Sequence, residues 1–237
     1  MKSVFTALLV LMSFVVLAQP RFVKERSDYN GEEVMLPFAL HAQGESGQSI
    51  NATCRLSGRL DSGELEVFTL EHQNIVAYPY RELKGAMIAP GYLPSYFALF
   101  PMDLPKADYI AKMQPLQEGA VFVAEGIVFL GDNTNIYFSS AEALQSLLEF
   151  LNMNPTARIR ITGHVNVTAE TKLSDTQLMS LAKKRAEGIQ DYLISHGISK
   201  HRVSIMGRGR EAVKYPNPQS EAELEYNRRV EVEIVGF

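Results

Sequence analysis

The periodicity of the chain changes at Gly119–Ala120, and that change constrains the fold more than any single motif does. Upstream, from about Arg21 to Gly119, apolar residues come in short alternating or continuous runs separated by turn residues: EVMLPFAL, SINATCRLSG, ELEVFTL, AMIAPGYLPSYFALF and ADYIAKM. A strand points successive side chains to opposite faces, so runs of this kind read as β-strands. No long stretch of this half has a clean helical period. Residues 19–119 are therefore expected to form a small all-β sandwich.

Downstream the strands begin to alternate with helices. VFVAEGIVF reads as a strand, and Ser139-Ser-Ala-Glu142 has the spacing of a capping box. Leu144, Leu147, Leu148 and Leu151 then share a helix face that Asn154-Pro155 ends. RIRITGHV places Ile159 and Ile161 on one face and Arg158, Arg160 and Thr162 on the other. A second helix runs through Leu178, Ala182, Ile189 and Leu193 to Gly197, a left-handed cap, with Ile198 placed for the accompanying apolar contact. Val203 and Ile205 mark a strand, and RRVEVEIVGF alternates Val230, Val232 and Ile234 with charged residues. The order β-α-β-α-β-β, with both helices on one face of a mixed sheet, predicts a two-layer α+β domain over residues 120–237.

The first residues, MKSVFTALLVLMSFVVLAQP, carry a lysine, an apolar run and small residues before a cut after Ala18. Residues 1–18 are expected to be a secretory signal peptide. The net charge of −4 gives no electrostatic reason to expect nucleic acid as a partner. The one cysteine, Cys54, sits in an alternating run and is expected to pack as a small apolar residue. It has no partner for an intrachain disulfide, and it lies too far from the leader to carry a lipid anchor.

One residue of the second helix breaks the pattern. In LMSLAKKRAEGIQDYLISHG, Arg185 falls in the middle of the apolar stripe. A guanidinium does not neutralise itself, so inside a fold it needs an anion. Two readings stand from spacing alone. Either Arg185 pairs with an internal carboxylate such as Asp175 or a C-terminal glutamate or snorkels past the stripe to water, or a ligand near GHVN supplies the anion and is gripped by the guanidinium fork.

Four segments in order, GHVN, LAKKRAEGIQDYLISHGIS, VSIMGRGRE and NRRVEVEIV, resemble the OmpA-like peptidoglycan-binding domain family over about Val121 to Phe237. The family's Leu-Ser-x-x-Arg-Ala motif appears here as Leu181-Ala182-Lys183-Lys184-Arg185-Ala186, and Asn227-Arg228-Arg229-Val230 matches its closing signature. The resemblance implies non-covalent binding of a diaminopimelate-type peptidoglycan stem, with Arg185 on the stem carboxylate. The family's Gly-His-Thr-Asp is here Gly163-His164-Val165-Asn166. Asn166 therefore stands where the family has the Asp that takes the ammonium group, with Gly163, His164, Val165 and Arg229 as further candidates. Asn166 lacks that negative charge, and Leu130 stands where the family often has Asp.

A lower-specificity likeness joins GAMIAPGYLPSYFALFPMDLPKADYIAKMQPLQEG to transthyretin-like or carboxypeptidase-regulatory β-sandwiches, which implies a spacer or a surface for outer-membrane or periplasmic proteins. Together these resemblances imply a periplasmic, outer-membrane-associated protein that tethers envelope components to the wall without catalysis. The alternative is an interaction subunit of an envelope complex whose domain has lost the wall ligand. No cofactor or metal is expected, because the five histidines show no metal-ligand spacing. The glycines of MGRGRE do not open a clear helix, which makes a phosphate loop a weak reading.

Overall fold

The structure, a computed structural model, describes residues 36–59, 65–70, 74–77, 82–99, 109–129, 134–166, 171–209 and 212–237. The expected signal peptide and Leu130 lie outside the described residues. No helix among the described residues is long and apolar enough to cross a membrane.

The described residues of the first half hold eight strands: β1 (Leu36–Gln43), β2 (Ser49–Ile50), β3 (Thr53–Arg59), β4 (Leu65–Leu70), β5 (Asn74–Ala77), β6 (Glu82–Ile88), β7 (Ser95–Leu99) and β8 (Tyr109–Lys112). In one sheet β1 pairs antiparallel with β2 and β5 and parallel with β8. The other has the order β4-β3-β6-β7 and is antiparallel throughout. Leu40 and Ala42 of the first sheet share a core with Cys54, Leu56, Leu83, Met87 and Phe97 of the second. The Cys54 thiol is buried there, and burial pushes its pKa up to about 12, so it packs as an apolar group. Strand β5 has no counterpart in the sequence reading, because Asn74–Ala77 is too short to show an alternation.

The second half carries β9 (Val121–Val123), α1 (Ala141–Met153), β10 (Arg158–His164), α2 (Asp175–Ser195), β11 (Val203–Arg208), α3 (Glu221–Asn227) and β12 (Val230–Gly236). The sheet order is β11-β10-β12-β9, with β10 and β11 parallel and the other pairs antiparallel. Parallel neighbours need a crossover, and α2 supplies it. The fold is α+β as expected, with the short α3 added before the last strand. Ile159, Ile161, Val230, Val232 and Ile234 bury one sheet face against Leu144, Leu147, Phe150 and Leu151 of α1 and Ala186, Ile189 and Leu193 of α2. On the opposite face the Arg160 guanidinium donates to Glu233, with Nε 3.1 Å from Oε2.

Two local expectations need correction. VFVAEGIVF is not one strand: β9 ends at Val123, Gly126 turns the chain with φ 87°, and Phe129 meets Ile136 in an isolated bridge. The Ser139–Glu142 capping box does not form either. Ser140 is the N-cap residue of α1 and makes no cap bond; its hydroxyl is tied to Val128, accepting from the amide at 2.9 Å and donating to the carbonyl at 3.2 Å. Glu142 instead accepts from Arg55 at 2.9 Å. A capping box forms instead at α2, where Ser174 accepts from the Gln177 amide and Gln177 accepts from the Ser174 amide. At the other end of α2, Gly197 has φ 95° and Ile198 donates to the Leu193 carbonyl, as the left-handed cap requires.

The two halves share structure across residue 119. Ala86, Ile88 and Leu93 belong to the same apolar cluster as α1 and α2. Arg55 of β3 also reaches Glu149 of α1 at 3.3 Å, and the Gly91 amide donates to Asn154 Oδ1 at 2.7 Å.

Candidate ligand site at the end of strand β10

The site is built on a close approach of helix and strand. A Cβ placed on Gly163 would collide with the Ala182 carbonyl oxygen of α2, and one on Gly207 would lie 2.5 Å from the Met179 carbonyl oxygen and 2.6 Å from the Lys183 amide. Gly209 faces Met179 and Leu178 in the same way. The glycines of GHVN and MGRGR are thus a flat seat for α2, which accounts for the MGRGRE motif without a phosphate loop. Because the helix backbone rests on β10, the turn that carries Arg185 is brought to the strand end that runs into Asn166.

Arg185 is 2% exposed, among the most buried large side chains of the chain. Its guanidinium carbon lies 5.0 Å from the centre of the Phe129 ring, an arrangement in which the ring face attracts the cation. Val165 turns inward. It is buried with Leu178 and Ala182 under the N-terminal half of α2, with Leu173, Leu181 and Val213 around it. A hydroxyl side chain there would meet an apolar cluster, which gives valine a packing reason at this position.

His164 is buried, and its amide donates to the Arg229 carbonyl at 3.1 Å. Its Nε2 lies 3.1 Å from Glu231 Oε2. Burial and the nearby Arg229 cation pull its pKa down to about 4, so the ring is neutral at pH 7. Burial alone would oppose ionisation of Glu231. The hydrogen bond from Arg229 and the neighbouring His164 outweigh it and hold that carboxyl below its usual range. Arg229 donates to Glu231 Oε1 at 2.8 Å and to the Ala212 carbonyl at 3.3 Å, so it ties β12 to the loop before α3.

Asn227, fully buried, organises the rest of that loop. Its Oδ1 accepts from the Lys214 and Tyr215 amides at 3.0 and 2.9 Å, and its Nδ2 donates to the Tyr215 carbonyl at 2.7 Å and to Asn166 Oδ1 at 2.9 Å. The structure therefore joins Asn166 to the closing signature through Asn227, a residue the sequence reading quoted without giving it a role. No local period in the sequence announces that role, because the partners of Asn227 lie 12, 13 and 61 residues away. Arg185 and Asn166 stand on elements that meet at Gly163.

A second feature lies on the far side of Arg229. A cavity of about 560 Å³ opens between the two halves, walled by Arg55, Lys84, Tyr96, Glu125, Tyr226 and Arg229 among others. The Tyr96 hydroxyl is buried there, and among the described residues it meets no hydrogen-bond partner. Burial and the Glu125 carboxylate both raise its pKa, so it stays protonated. No group of three His, Cys, Asp or Glu side chains among the described residues is placed to hold a metal ion.

The OmpA family model matches residues 128–228. The matched OmpA-like segment contains α1, β10, α2, β11 and α3 and every residue of the site except Arg229 and Glu231. It spans less than half of the chain. Among solved structures, the periplasmic domain of Helicobacter pylori MotB (residues 90–256) is 19% identical, with a TM-score of 0.42, over 49% of this chain and 74% of that one. The peptidoglycan-associated lipoprotein of Burkholderia pseudomallei is 21% identical, with a TM-score of 0.40, over 45% and 86%. The cell wall anchor of the T6SS from Pseudomonas aeruginosa is 18% identical, with a TM-score of 0.39, over 49% and 80%.

Proposed function

We propose that this chain is a non-catalytic cell-envelope protein whose OmpA-like domain holds the stem peptide of peptidoglycan and so ties the envelope to the wall. The observation that carries the reading is Arg185. A permanent cation sits in the apolar stripe of α2, inside the segment matched by the OmpA family, beside the strand end that presents Asn166. In this reading the fork of Arg185 binds the stem carboxylate and Asn166 meets the group next to it. Gly163 lets α2 come close enough for both to reach one ligand. The protein would act in the periplasm at the outer membrane, and the carboxypeptidase-regulatory-like half would face envelope proteins.

Co-sedimentation of the full mature chain with purified sacculi tests the proposal, run beside Arg185→Lys, which keeps the charge and loses the fork. Wild type is expected to pellet, with retention lowered at least about tenfold in the variant, as loss of a bidentate charge-assisted contact would give. Equal pelleting of both proteins, or pelleting of neither, overturns the proposal.

A second reading, an interaction subunit that no longer uses the wall ligand, is favoured by Val165 and Asn166, both of which are engaged within the domain. Co-purification with an envelope protein that is indifferent to Arg185→Lys would support it.

A further inference from the structure

The cleft between the two halves has no part in the wall-binding reading, and its walls have a chemistry of their own. Its volume of about 560 Å³ falls among small-molecule sites, which run from about 300 to 1,000 Å³. One side is formed by β3, β6 and β7, the other by the turn after β9 and the start of α1. Among the described residues of the walls, each cation faces a carboxylate. Arg55 donates to Glu142 at 2.9 Å and to Glu149 at 3.3 Å, and Arg229 donates to Glu231 at 2.8 Å. Partial desolvation raises the Glu125 pKa, and the Lys84 cation opposes that rise from the facing sheet. A charged ligand would have to displace one member of these pairs, so the walls favour a neutral one. Uncharged polar groups of the lining are hydroxyls, among them those of Ser57, Ser139 and Ser146, and a hydroxyl both donates and accepts. Aromatic rings complete the walls. Tyr137 is 39% exposed and Tyr226 48%, and Tyr215 braces Tyr226 in a T-shaped contact with ring centres 5.7 Å apart.

We propose that this cleft is a binding site for a neutral saccharide, with one sugar ring laid on Tyr226 and its hydroxyls exchanging hydrogen bonds with the hydroxyls of the walls. Each property of such a ligand answers a property of the site. A sugar ring has a C–H face that packs on an aromatic ring, a rim of groups that donate and accept, and no charge to disturb the ion pairs. A wholly apolar ligand would instead strip water from the serine hydroxyls without replacing its bonds. The site is separate from Arg185 and Asn166, and the proposal does not rest on the peptidoglycan reading.

Calorimetry of the full mature chain with three trisaccharides tests it: maltotriose and chitotriose, both neutral, and chitotriose stripped of its acetyl groups, a cation at pH 7. Wild type is expected to bind a neutral trisaccharide at millimolar concentration or below, and the cationic trimer at least about tenfold more weakly. Tyr226→Ala should weaken neutral binding at least about fivefold, the scale of one aromatic contact. Ser139→Ala should weaken it about threefold with little change in urea midpoint, so that a loss of fold does not imitate the result. Preference for chitotriose assigns the site to an N-acylated glycan, and preference for maltotriose to an unsubstituted glucan. Failure of wild type to bind either neutral trisaccharide at about 10 mM overturns the proposal. Tighter binding of the cationic trimer overturns it too, as does neutral binding that neither substitution weakens. None of these outcomes touches the sacculus result with Arg185→Lys, so the two readings stand or fall separately.

Discussion

At the scale of single residues, the site combines groups whose charge is fixed with one whose charge depends on pH. His164 is neutral because burial and Arg229 oppose its protonation, and its folded pKa of about 4 lies below the ordinary 6.5. The unfolded chain takes up this proton first, so the stability that a neutral His164 contributes is complete above pH 6.5 and is lost as pH falls toward 4. The full effect is at most about 3 kcal/mol. Glu231 works in the same direction: its folded pKa is lowered, and its contribution fades as pH falls through that value. Urea midpoints measured from pH 7.5 to 4.5 should fall for wild type and fall clearly less for His164→Gln; parallel curves would show that another group carries the slope. Gly163 offers a harsher test. Any Cβ there must push the Ala182 carbonyl away, so Gly163→Ala should cost about 3 kcal/mol or more and lower retention on sacculi, read as urea midpoint and pelleted fraction. Arg185 was legible in the sequence because a helix repeats every 3.6 residues and a charge in its stripe stands out. Asn227 was not, because its partners lie 12, 13 and 61 residues away and no local period announces them.

At the scale of elements, helix interiors were legible and helix starts were not. The apolar faces of α1 and α2 follow from leucine and isoleucine spacing, and Gly197 ends α2 as its conformational freedom predicts. The capping pattern misled at Ser139 because a tertiary partner, Arg55, takes the glutamate that would close the box. The same pattern with glutamine, Ser174 to Gln177, passed as loop although both reciprocal bonds form there. The two serines therefore separate in a prediction. Ser174→Ala should destabilise the protein by about 1 kcal/mol, and Ser139→Ala should stay within about 0.5 kcal/mol. Chemical denaturation of both variants checks it, and equal losses would contradict the assignment. The end of α1 uses a longer reach: Arg202 donates to the carbonyls of Leu151, Asn154 and Ala157 at 2.8–2.9 Å, a cation placed where a helix leaves its carbonyls unpaired.

At the scale of the whole molecule, the break in periodicity at Gly119–Ala120 marks a change of architecture, yet the core does not respect it. Ile88 and Leu93 from the first half are buried in the cluster that α1 and α2 close, and Tyr96 packs against Phe122 with ring centres 6.4 Å apart. Sequence periods reveal which face of an element is apolar but not which partner covers it, so this sharing was not legible. It has a mechanical meaning under the proposed function, because a load applied to the wall-binding half would pass directly into the sheets of the first half. The consequence is measurable. A fragment comprising residues 120–237 loses the cover that Ala86, Ile88 and Leu93 provide, an amount of apolar burial worth on the order of 2–4 kcal/mol. It should unfold at a lower urea concentration than the whole chain, which should itself unfold in one transition. Arg55→Ala in the whole chain removes the ion pairs to Glu142 and Glu149 and should reproduce only about 1 kcal/mol of that loss, because those groups remain partly in solvent. A fragment as stable as the whole chain, or two separate transitions in the intact protein, would show that the halves merely abut and that force at the wall need not reach the first half at all.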